Sequence, residues 1–192
     1  MTAFCLVGLR AVLASLCLFA FALFASANDA IVSSYNPGID CKITSETDTL
    51  IDFRCPGVFG VDVWFLIGDA RWIVAFHESE PAGLVLKQGF NRAHHPDLQI
   101  EWRFDGNRPM AAIQIWRFYD GDELDEGAYV ITKIDGDSVC HMGLIDIAEN
   151  PDALALARKL ADSSAVAFSC ENDPLWVGNP PSTKGHTHYT HR

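Results

Sequence analysis

Three stretches of this chain carry side chains whose types and spacing can do chemistry. The tail His186-x-His188-x-x-His191 gathers three imidazoles. Neutral imidazole is a good ligand for Zn²⁺, Cu²⁺ or Ni²⁺. Such a tail loses chain entropy on ordering and shows no partners to orient its rings, so the plainer expectation is a polar tail with no resident metal. The run Asp120-Gly-Asp-Glu-Leu-Asp-Glu126 offers carboxylates to Ca²⁺. It does not match the fixed ligand positions of an EF-hand loop and reads as a solvated hairpin loop. The third is the polar face of a hairpin, with Glu101 and Arg103 on one strand, Gln114 and Arg117 on its partner, and Arg71 at the start of an earlier strand. Cross-strand ion pairing explains these residues without function. A ligand-binding face of Arg and Trp is the alternative, with Glu101, Arg103 and Arg117 as its candidates.

The remaining histidines are less suggestive. His94-His95-Pro96-Asp97 reads as a loop, because adjacent residues of an extended chain point opposite ways and cannot chelate together. His77 ends an apolar strand and His141 follows Cys140. Catalysis has no recognisable signature: the chain holds no G-x-S-x-G, no H-E-x-x-H and no phosphate-binding or dinucleotide glycine loop. No cofactor is expected.

These groups must be positioned by a domain that folds outside the reducing cytoplasm. Residues 1–27 have the pattern of an export signal: Arg10 in the n-region, an apolar run from Ala11 to Phe24, and the small-x-small site Ala25-Ser26-Ala27. The apolar run reaches the ~20 residues of a membrane-spanning helix only by including the cleavage site. Cys17 follows Leu16 rather than a small residue, which argues against a lipid anchor. Cleavage removes Cys5 and Cys17 and leaves Cys41, Cys55, Cys140 and Cys170. An even number of cysteines in an exported chain predicts two disulfides. Of the three pairings, Cys41–Cys55 and Cys140–Cys170 each bracket a local unit and are favoured. The expected compartment is periplasmic or extracellular.

Charge narrows the partners. The chain carries 14 basic and 25 acidic residues, and loss of Arg10 with the signal deepens the imbalance. Such a surface repels nucleic acid and anionic lipid. Neither is expected as a partner, nor is any membrane once the signal is cut. The ligand, whether protein or small molecule, is not specified.

The elements read mainly as β. An irregular lead-in over 28–40 precedes a single stapled domain over 41–170, and 171–192 reads as a flexible tail. Leu98, Ile100, Trp102 and Phe104 alternate strictly with Gln99, Glu101 and Arg103, and Asp105-Gly106-Asn107 is a hairpin turn leading to Met110–Phe118. Asp135-Gly136-Asp137 is a second hairpin turn. Gly83–Gln88 and Val166–Cys170 read as further strands. Trp64, Trp72, Trp102 and Trp116 fall at core spacing. Asn150-Pro151-Asp152 predicts a helix start with Asn150 as its cap, and Ala153, Leu156 and Leu160 share one face. The expected fold is an antiparallel meander of seven to nine strands with one late helix, or a sandwich or partly open barrel.

Glu101-Trp102-Arg103, Cys140-His141, the run Asn150-Pro151-Asp152 through Leu156-Ala157-Arg158 and Ala161-Asp162, and Phe168-Ser169-Cys170 together resemble a group of small uncharacterised exported proteins of alphaproteobacteria. The resemblance covers Cys55 to Cys170. It implies a Gram-negative periplasm and a Cys140–Cys170 pair, and no activity. The expected function is therefore a non-catalytic periplasmic binding or envelope-accessory domain. Transition-metal binding through the His tail and an envelope hydrolase with an unrecognised site are the alternatives.

Overall fold

The computed structural model describes residues 30–181, except 69, 82–83, 121–122 and 125–126, together with 189–191. The export signal lies outside these residues. The chain forms β1 (Ala30–Ser34), a short helix α1 (Pro37–Asp40), β2 (Lys42–Glu46), β3 (Leu50–Val58), β4 (Val61–Gly68) and β5 (Arg71–His77). A 3₁₀ turn (Leu84–Lys87) leads into β6 (Gln88–Phe90), β7 (His94–Asp105), β8 (Arg108–Asp120), β9 (Glu123–Leu124), β10 (Ala128–Lys133) and β11 (Cys140–Asp146). Helix α2 (Ala153–Ser164), β12 (Leu175–Trp176) and β13 (Tyr189–His191) complete it.

The protein is mainly β. Eleven strands join one open mixed sheet in the order β12-β11-β10-β8-β7-β5-β4-β3-β2, with β1 added to β7 and β9 to β8. The two ends do not close into a barrel. Most neighbours are antiparallel, but β5 meets β7 in parallel at the single rung Arg71↔His94, and β11 meets β12 in parallel. That one rung separates two meanders, β2–β5 and β7–β11, which fold face to face. Phe53, Phe65 and Phe76 from the first share a core with Ile100, Trp102, Trp116 and Val130 from the second. Phe76 meets Trp102 edge-on at 5.3 Å between ring centroids. Each such ring contributes roughly 1.5–3 kcal/mol by leaving water.

The other face of the second meander belongs to α2. Ala111, Ile113, Ile131, Met142 and Ile145 pack against Ala153, Ala157 and Ala161. The alanines recur every four residues and so form one stripe of the helix. Their small size lets the helix lie close to the sheet. At Gly143 a Cβ would run into Leu160 Cδ2 of the helix.

Both expected disulfides form, Cys41–Cys55 and Cys140–Cys170, with Cα–Cα separations of 4.2 and 5.8 Å. The second ties β11 to the segment leaving α2. Several sequence expectations are corrected. The lead-in is not irregular: β1 pairs with β7 along its whole length, Ile31 opposite Trp102. Of the strand expected over Gly83–Gln88, Gly83 lies outside the described residues, Leu84–Lys87 forms a 3₁₀ turn instead, and Gln88 begins β6, since a short apolar run does not distinguish strand from turn. Val166–Cys170 turns instead of pairing, and Lys133 Nζ takes the carbonyls of Val166 and Phe168 at 3.3 and 2.8 Å. The α2 cap is Asp152, because Asn150 spends its side chain elsewhere. The Asn150 amide donates to the carbonyls of Asp146 and Asn179 and accepts from Asn179 N–H at 2.8 Å. This clasp holds part of the expected tail, which also pairs β12 with β11 and β13 with β6.

Candidate functional site

The outward face of the first meander carries a groove roofed by Glu78–Pro81 and Leu86–Phe90. Strand register orders its floor in three rows. Leu50, Gly68 and Arg71 form the first, Asp52, Leu66 and Ile73 the second, and Arg54, Trp64 and Ala75 the third. Successive rows lie roughly 7 Å apart, two residues along a strand. One lobe, of about 450 Å³, spans the first two rows and is lined by Arg71, Lys87, Gln88, Phe90 and His94 among others. A second lobe, of about 470 Å³, spans the second and third rows beneath Glu78, Ser79, Glu80 and Pro81. Asp52, Leu66 and Leu86 line both lobes, so the two are continuous. Each is in the size range of ordinary small-ligand sites.

Gln88 is the most unusual group in this groove. It is 1% exposed, and its Oε1 accepts the His141 backbone N–H at 2.6 Å. That bond fixes which way the amide points. Its Nε2 has no acceptor among the described residues. A buried amide donor left without a partner costs about 1–3 kcal/mol.

Asp52 sits where the lobes join. Burial raises its pKa, and the charge of Glu80 raises it further. Arg54 reaches across to Asp62 and lies over the Trp64 ring, 5.3 Å from its centroid. His94 closes the inner end. Its Nδ1 faces the Arg92 carbonyl at 2.7 Å and its Nε2 the Trp72 carbonyl at 2.9 Å. Two carbonyls favour the doubly protonated ring. Burial is the larger effect and, with Arg71 and His95 nearby, lowers the His94 pKa. The ring is therefore neutral near pH 7 and donates to one carbonyl only.

Sequence reasoning placed the candidate binding residues on another face. Glu101 and Arg103 do come together, but beneath α2 rather than in solvent: they are 8% and 7% exposed. Arg103 Nη1 donates to Glu101 at 3.2 Å, and its Nε and Nη2 donate to Asp162 at 2.8 and 2.6 Å. Arg158 adds a forked contact to Glu101, with Nη2 at 2.8 Å. Arg117 does not join them; its Nε and Nη2 hold Asp97 at 2.8 and 2.9 Å. Helix side chains thus satisfy Glu101 and Arg103, and Asp97 of β7 satisfies Arg117. The small cavity beside Tyr129, of about 170 Å³, lies among these pairs.

The metal candidates fall mostly outside the described residues. His186 and His188 lie there, and His191 is described only through its backbone, which pairs with Gln88. The acidic loop is described at Glu123–Leu124, which pair as β9 with the end of β8. Among the described residues, no three His, Cys, Asp or Glu side chains gather as a metal site. The loop reading of His94-His95-Pro96 is also corrected, since these residues begin β7. Pro96 fits there because the β7–β8 ladder is interrupted between Pro96 and Ile100, where a missing N–H costs little.

Sequence reasoning missed the groove. Its one signal was the polar set Asp52, Arg54 and Arg71 inside otherwise apolar strands. No protein-family model matches the chain, nor does any curated protein or solved structure. Fold and site define the class: an open mixed β sheet with one covering helix and a roofed groove on its far face.

Proposed function

We propose that this chain is an exported, non-catalytic binding domain that holds a small ligand in the groove between β3–β5 and the residues Glu78–Pro81 and Leu86–Phe90. The Gln88 amide carries the reading. Its oxygen is anchored inside the protein, and its nitrogen points a buried donor at nothing the described residues supply. A ligand oxygen accepting from Nε2 removes that penalty. Apolar side chains of Leu66, Ile73 and Leu86 supply burial around it. Both disulfides support export to a periplasmic or extracellular space, where such bonds persist. Among the described residues no helix is long and apolar enough to cross a membrane.

The test is a nuclear magnetic resonance screen of small carboxylates, amides and alcohols against the oxidised chain. The expected result is a set of binders that move the Gln88 side-chain NH₂ resonances together with Leu66, Ile73 and Leu86. Ile73→Trp, which fills the groove, abolishes the response. Binders that move only other regions, or a screen with no binders at millimolar concentration, overturn the proposal.

A further inference from the structure

Strand β6 stands apart from the main sheet. Among the described residues its ladder partner is β13, in the register Tyr189↔Phe90, Thr190↔Gly89 and His191↔Gln88. Yet side chains, not β13, fix β6 in place. Phe90 is 2% exposed and meets Phe118 edge-on at 4.6 Å, with Trp116 at 6.0 Å. Gln88 accepts the His141 backbone N–H. Anchors on both sides of Gly89 thus hold the strand to the core and leave its backbone edge to pairing. At Gly89 a Cβ would meet nothing within 4 Å, so the middle rung is set by backbone alone. The partner strand has no comparable hold. A ribbon of two three-residue strands is marginal by itself. The tail is tied to the body earlier, where Val177 N–H donates to the Leu144 carbonyl and Asn150 clasps Asn179. Its sequence also differs in charge from the rest. Residues 182–192 hold Lys184, Arg192 and three histidines and no acidic residue, in a chain of net charge −11.

We infer that the β6 edge is a docking site for an extended segment of another protein, and that β13 is this chain's own segment seated there. The partner it fits adds as an antiparallel strand along Gln88–Phe90. Main-chain hydrogen bonds supply its affinity, as in other cases of strand addition. Its composition follows the resident strand: basic and free of acidic residues, drawn by opposite charge to an acidic body. The resident strand competes at an effective concentration on the order of millimolar, so a partner binds well only when β13 leaves. Phe90 and Gln88 keep the edge in shape meanwhile. The inference does not rest on the groove holding a small ligand.

The probe is the peptide His-Thr-His-Tyr-Thr-His-Arg, titrated by nuclear magnetic resonance into the oxidised chain and its Tyr189→Pro and Thr190→Pro variants. Alternate residues of a strand turn their N–H groups the same way, so one of the two prolines removes a donor that faces β6. In that variant the Gly89 and Phe90 amides should shift at millimolar peptide. The unaltered chain should need at least about tenfold more peptide for the same shift. Melting curves establish that the variants fold, and the unaltered chain at high peptide provides the same reading without them. A peptide with proline in place of its Tyr and Thr should give no shift, and one with Glu in place of each His should bind more weakly. If the proline peptide shifts the same amides equally, no strand is added and the proposal is overturned. No shift at Gly89 and Phe90 in any of the three chains overturns it too. A variant that sediments as a dimer without peptide makes a second copy the occupant and overturns the foreign partner.

Discussion

His94 lies almost flat on Trp116, with ring centroids 4.9 Å apart and planes 12° from parallel. His141 meets the same indole edge-on at 5.1 Å. Trp116 therefore joins two buried imidazoles between the halves of the core. Burial lowers both pKa values, and that of fully buried His141 is pushed down to about 3, with a smaller contribution from His94.

The consequence is acid lability with a defined window. A base whose pKa falls on folding binds protons more readily in the unfolded chain. Its contribution is present above the unfolded value near 6.5 and is lost as pH falls toward the folded value. For His141 the slope approaches roughly 1.4 kcal/mol per pH unit. Urea midpoints should fall clearly between about pH 7.5 and about pH 5, above the range where most carboxylates titrate. His141→Phe should flatten most of that slope. An unchanged midpoint across the window contradicts the assignment.

The ion pairs under α2 rank by exposure. Arg103 is buried and serves both Glu101 and Asp162, whereas the Arg158 side chain is 48% exposed. Arg103→Ala should cost about 3 kcal/mol, as expected when a buried pair loses one member. Arg158→Ala should cost under about 1 kcal/mol. Chemical denaturation of the two variants checks the order, and equal costs would refute it.

Much of this arrangement was legible in the sequence, and the limit is instructive. Strict alternation from Leu98 to Phe104 separated core from polar side chains correctly, because a strand's period is a local property. The two Asp-Gly turns likewise placed the hairpins β7–β8 and β10–β11. What covers Glu101 and Arg103 was not legible, since Asp162 and Arg158 lie 59 and 57 residues further on. Nothing in β1 announces its partner either. The groove escaped for the same reason: its roof arrives from a segment whose short apolar run fits strand, turn or helix equally well.

Asp52 presents the opposite electrostatic case. Its pKa is raised on folding, so the folded state binds the extra proton, and stability is lost as pH rises through the range between its unfolded and folded values. Asp52→Asn should therefore stabilise the free chain near pH 7, by less than about 1 kcal/mol, with no gain below about pH 3.8. Thermal melts at the two pH values measure this. A lower melting temperature at neutral pH would show that the carboxylate is doing structural rather than binding duty.

The two disulfides should differ in consequence as well as in size. On loop entropy, removing Cys140–Cys170 costs about 3.6 kcal/mol and removing Cys41–Cys55 about 3 kcal/mol. The first loop contains the whole of α2 and the second only the edge hairpin β2–β3. Paired Cys→Ala variants followed by hydrogen exchange should show α2 amides losing protection in the first and not in the second. Equal protection of α2 in both would refute the difference.

The pairing of β1 with β7 sets an order of events for folding. Hairpins β3–β4, β4–β5 and β7–β8 each join neighbours in the chain, so they close short loops and form early. Ile31 must find Trp102 across the entire first meander. On loop length, β1 is thus built in later than these hairpins. It acts as a latch, closing on β7 after the hairpin β7–β8 has given it an edge to pair with.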